Sequence, residues 1–121
     1  MIVELLKDLN LLNRQRNELF EVFKKLGDSI PNVEIQPTTE TDHDDSWKGI
    51  KFSYKKNTRF KLVILSRLQK DEEFYFKGFP ILPKTNSIGK WKDILEVLEV
   101  WVKYIQDEES TEEMWETLNS N

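Results

Sequence analysis

Between Gly49 and Leu68 apolar and charged residues alternate with a period of two, which is the side-chain period of a β-strand. In one half Ile50, Phe52 and Tyr54 alternate with Lys51, Ser53 and Lys55; in the other, Phe60, Leu62, Ile64 and Leu68 alternate with Arg59, Lys61, Val63, Leu65 and Arg67. The pattern predicts two strands, over 49–55 and 59–68, each with an apolar face and a largely basic one. Lys56-Asn57-Thr58 supplies the turn that makes them an antiparallel hairpin. Whatever folds around this hairpin must cover its apolar face.

The flanking segments provide the cover. Ile2, Leu5, Leu9, Leu12, Leu19, Phe23 and Leu26 recur at steps of three and four, interrupted only by Arg16 and widened by Leu6 and Phe20. The spacing predicts one long helix over 2–26, stopped by Gly27 and Pro31. Its seven-residue step is also that of a helix–helix seam, so a homodimer through residues 2–26 is an alternative use of the stripe. A short strand is expected at 33–36, ended by Pro37, and another at 72–77, reached through Gln69-Lys70-Asp71. The segment 78–89 holds two prolines and two glycines and reads as loop.

A second helix is expected over 90–107, striped by Trp91, Ile94, Leu98, Trp101 and Ile105. Ser110-Thr111-Glu112-Glu113 matches a capping box for a short third helix over 111–118 that carries Met114, Trp115 and Leu118. The expected fold is a single α+β domain over 1–121: an antiparallel meander of three or four strands with the helices on one sheet face.

Several function classes drop out on residue content. Without cysteine there is no disulfide scaffold, thiol catalysis or thiolate metal site. Acids lie among the first leucines, where a secretory signal needs a basic start and an unbroken apolar run. No apolar run approaches the roughly 18–20 residues that span a bilayer. The expectation is a cytoplasmic protein away from membranes. No Gly-x-Ser-x-Gly elbow or phosphate-binding glycine loop is present, and Glu73 and Lys77 lack the Glu-x-Lys spacing of metal-dependent nucleases. Asp42-His43-Asp44-Asp45 holds metal-ligand types, but in a single loop that lacks the glycine and closing glutamate of a calcium loop. No catalytic residue, metal or cofactor is assigned, and an enzyme with an unrecognised carboxylate site ranks as the third reading.

Charge is segregated beneath a net of −4. Residues 48–70 contain eight basic residues and no acid, whereas 107–116 contain six acids and no base. Lys51, Lys55, Arg59, Lys61 and Arg67 are the candidate partner contacts, with Val63 and Leu65 in their midst. Trp47, at a loop-to-strand junction, joins them. The favoured ligand is another protein, steered by complementary charge. Nucleic acid is the alternative, and it requires accessible aromatics beside the lysines, while Phe52, Tyr54 and Phe60 alternate onto the other face. The plainer explanation is a solvated outer face on which lysines prevent strand-to-strand aggregation.

The aromatic spacing of residues 59–118 adds a resemblance. Phe74-Tyr75-Phe76-Lys77-Gly78-Phe79-Pro80, the run Trp91 to Trp101, and Met114-Trp115-Glu116 within an acidic stretch are similar to small accessory modules of bacterial conflict and defence proteins. The resemblance implies a few strands, a tryptophan-bearing helix and a closing acidic helix. It also implies an adaptor or sensing role beside a separate effector. The expected function is therefore a non-enzymatic interaction module: an adaptor, inhibitor or immunity-type subunit.

Overall fold

The computed structural model of the chain describes residues 2–42, 45–67 and 73–119, with the side chains of 42, 45, 67 and 109–119 left aside. Its elements run α1 (Ile2–Asp8), α2 (Asn13–Ser29), β1 (Val33–Asp42), β2 (Asp45–Tyr54), β3 (Lys61–Arg67), β4 (Phe74–Phe79), β5 (Ser87–Gly89) and α3 (Trp91–Asn119). The five strands lie side by side in chain order, each antiparallel to the next. The fold is α+β, as the patterning predicts.

One face of the sheet carries the core. Ile50, Phe52 and Tyr54 of β2, Leu62 and Ile64 of β3, and Phe74 and Phe76 of β4 are buried there. Against them pack Leu5, Leu6 and Leu9, then Leu19, Phe23 and Leu26 of α2, then Ile94, Val97, Leu98, Trp101 and Ile105 of α3. The Phe52 ring lies 5.3 Å from Phe23 and 6.1 Å from Trp101, and so links both longer helices to the sheet.

The first helix differs from the expectation. Residues 2–26 form two helices, α1 and α2, separated at Leu9–Leu12. Asn10 has φ 55, a left-handed conformation that asparagine tolerates at a helix end. The Leu9 and Asn10 N–H groups close a turn on the carbonyls of Leu6 and Lys7, and the Gln15 carboxamide accepts the Leu12 N–H at 3.0 Å. A straight helix over the whole stripe would run about 37 Å at 1.5 Å per residue. Breaking it brings both halves of the stripe to one core, at the cost of leaving Leu12 68% exposed. The seam residues Leu5, Leu9, Leu19, Phe23 and Leu26 are buried in the chain's own core. Gly27 lies inside α2, which ends instead at Ser29, where the Ile30 N–H bonds the Leu26 carbonyl.

Three further boundaries are corrected. β1 does not stop at Pro37 but runs to Asp42; as an edge strand it has one side without a ladder partner, where a missing N–H is tolerated. The segment expected as loop contains a fifth strand, β5, so the meander exceeds the predicted three or four strands. The capping box at Ser110–Glu113 starts no new helix, since α3 is continuous for 29 residues and its preceding turns leave no N–H to be capped. The connection at 68–72 lies outside the described residues.

The link from β4 through β5 is tied to α3 by charge. Lys84 Nζ donates to Asp93 at 2.8 Å and to Glu96 at 2.7 Å, and the other Asp93 oxygen accepts the Lys90 N–H. The Lys84 hydrogen bond, followed by that from Lys90, holds the Asp93 carboxyl below its ordinary range. A depressed carboxylate stabilises the fold above the unfolded value near about 3.9, and that stabilisation disappears as pH falls through the depressed folded value. Asp93→Asn should therefore lower stability at neutral pH and flatten its acid dependence, as read by urea unfolding at a series of pH values. Trp101→Ala should cost about 3–5 kcal/mol. Trp101→Phe should cost far less, because the indole N–H has no hydrogen-bond partner among the described residues.

Candidate functional site

With all three helices on one face, the alternate residues of every strand stand on the other, and the pairing register orders them into rows. Thr38, Gly49, Leu65, Tyr75 and Ile88 lie in register across the sheet. Gln36, Lys51, Val63 and Lys77 form the next row, followed by Glu34, Ser53, Lys61 and Phe79. On the other side of the first row come Glu40, Trp47 and Arg67. Rows are about 7 Å apart, two residues of strand.

The middle of this face is apolar and partly closed. Leu65 is only 2% exposed, yet it stands on the opposite side of the sheet from the core. Trp47 and Tyr75 flank it, their rings 6.2 Å apart and tilted by 55°. Together with Glu40, Thr41 and Lys77 they line a cavity of about 440 Å³. Gly49 stands in the same row, between Thr38 and Leu65. A Cβ there would fall 1.9 Å from the Ile64 carbonyl oxygen, so β2 and β3 approach too closely for any side chain.

A second cavity of about 350 Å³ adjoins the first, lined by Thr38, Glu40, Lys51, Lys61, Val63, Lys77, Gly78, Phe79 and Asn86. The two share Glu40 and Lys77, whose ion pair (3.0 and 3.2 Å to the two carboxylate oxygens) crosses the face from β1 to β4. That pairing offsets one of the three lysines. Lys51 and Lys61 have no ion-pair partner among the described residues. The face thus has an apolar, aromatic end and a cationic end.

Of the residues singled out from the sequence, Trp47, Lys51, Lys61, Val63 and Leu65 stand together on this face. Lys55 and Arg59 do not; they belong to the β2–β3 connection, where Arg59 lies over the Phe79 ring at 5.2 Å. The backbone of Arg67 pairs with Trp47, and its side chain lies outside the described residues. Sequence reading missed Glu40, Tyr75, Lys77 and Phe79. The last three do alternate with Phe74, Phe76 and Gly78, but aromatics occur on both sides of that alternation, so neither side reads as the exposed one. Among the described residues no group of three acids or histidines is placed to hold a metal, and His43 and Asp44 of the acidic loop lie outside them. No helix among the described residues is long and apolar enough to cross a membrane.

No protein-family model, curated protein or solved structure matches the chain.

Two substitutions on this face should differ sharply in unfolding experiments. Gly49→Ala forces the strands apart and should lose about 1–3 kcal/mol, with the Trp47 and Leu65 amide resonances displaced. Lys77→Met breaks a surface pair whose side chains are 46% and 38% exposed, and should change stability by less than about 1 kcal/mol.

Proposed function

We propose that this chain is a non-enzymatic protein-interaction module that engages its partner through the open face of the sheet, as an adaptor, inhibitor or immunity-type subunit of a bacterial system. The observation that carries the reading is that Leu65, buried on the face opposite the core, lines a cavity together with Trp47 and Tyr75. A small aromatic and aliphatic centre ringed by charged residues has the composition of a protein interface, where anchors occupy the middle and polar groups the rim. Lys51 and Lys61 add a positive edge that steers an acidic partner.

Nucleic acid is the second reading, because Trp47, Tyr75 and Phe79 share the face with the lysines and meet the need for aromatics beside them. Against it, the face carries both signs of charge, with Glu34 and Glu40 beside Lys51, Lys61 and Lys77, whereas a phosphate chain of uniform negative charge is drawn to a continuous basic surface. A photo-crosslinking residue at Val63, in the middle of the face, separates the two. In lysate of the native host it should yield a protein adduct that survives nuclease and weakens with salt. The same residue placed at exposed Lys24 on α2 should yield none. A nuclease-sensitive adduct would replace the protein reading with the nucleic-acid one, and equal adducts at both positions would remove the open face as the site.

A further inference from the structure

We infer that the open face takes an extended acidic segment in which one bulky apolar side chain seats against Trp47 and Tyr75, level with the row of Leu65, with carboxylates two and four residues away at Lys51 and Lys61. The inference rests on the reading of this face as a protein-binding surface and names the chemistry of the partner.

The spacing comes from the register. Along β3, Leu65, Val63 and Lys61 point to the open face at intervals of two residues, and Lys51 stands level with Val63 on the neighbouring strand. Those steps are about 7 and 13 Å from Leu65 at 3.3 Å per residue. An extended segment running alongside β3 has the same period and presents alternate side chains to the sheet. Its anchor, second neighbour and fourth neighbour therefore meet the three rows in turn. A helix rises only about 1.5 Å per residue and would need some nine residues to cover the same distance.

Charge sets which position carries what. Glu40 lines both cavities and its charge is offset by Lys77 at 3.0 Å, whereas the aromatic end holds no unpaired lysine among the described residues to draw an acid to the anchor position. At the other end Lys51 and Lys61 line the second cavity without ion-pair partners among the described residues, so carboxylates gain there. The floor between them is Val63, which asks for nothing polar. Shape and charge alone define the segment, so either chain direction along β3 is accommodated.

The probes are two capped peptides, Gly-Phe-Ser-Glu-Ser-Glu-Gly and its reversed order, titrated into the isotopically labelled full chain and followed by NMR. At least one should shift the amides of Lys51, Lys61, Leu65 and Tyr75, with a Kd that rises with salt. Replacing the peptide's Phe by Ala, or combining Lys51→Glu with Lys61→Glu in the protein, should weaken binding about tenfold or more, the scale of a lost central anchor. A control with both acids adjacent to the Phe should bind several-fold more weakly. If neither peptide shifts these amides while the Val63 crosslink still captures a protein, the inference fails and the interaction-module reading stands. Oligothymidylate shifting the same amides at lower concentration would overturn both. Shifts that grow with protein concentration alone would make a second copy the occupant and also overturn the inference.

Discussion

Phe52, Leu62 and Phe76 point to the same side of the sheet, where the three helices of the described residues pack and Trp101 of α3, fully buried, lies against Phe52. This one-sided burial governs the rest of the molecule. The amino-terminal stripe reaches this core as two helices separated at Asn10, with Leu6 of the first and Leu19 of the second both buried in it. The same burial leaves the second face of the five strands without a covering helix among the described residues, so whatever stands on that face must be compatible with water or with a partner.

The second face meets that requirement unevenly. Lysines and glutamates occupy much of it, and the Glu40–Lys77 pair crosses it from β1 to β4. Its middle is different: Leu65, buried on that side, lines a cavity together with Trp47 and Tyr75. In the same row Gly49 sits where the close approach of β2 to β3 admits no side chain. A solvated face needs no such recess. The recess and the adjoining lysines are what distinguish this side from an outer surface that merely keeps strands apart.

The hairpin was legible because its two periods do not conflict. From Gly49 to Tyr54 and through β3, one parity holds Ile50, Phe52, Leu62 and Ile64 with no charge while the lysines keep to the other, so the core side follows from residue type. The same parity rule placed Val63 and Leu65 among the lysines. It failed in β4, where Phe74 and Phe76 alternate with Tyr75 and Phe79, and hydrophobicity alone cannot tell the core side from the open side. Arg59 illustrates the opposite error. Its position continues the basic alternation, yet the strand begins at Lys61, and the side chain lies over Phe79 at the corner of the sheet.

Local residue pattern by itself determined the fold class, the hairpin, the apolar stripes of the helices and the basic character of one sheet face, because each rests on a periodicity that neighbouring residues express among themselves. Tertiary structure decided how those pieces were used. The heptad-like stripe at the amino terminus was equally suited to a long helix, and the turn between α1 and α2 at Asn10 is seen only in the folded chain. The partnership of Trp47 with Tyr75 across Leu65, and of Glu40 with Lys77, depends on register between strands far apart in sequence. Register is set by packing of the buried face, where a slip of one residue would turn Phe52 and Leu62 to the solvent. The open face is thus composed by the core on its other side.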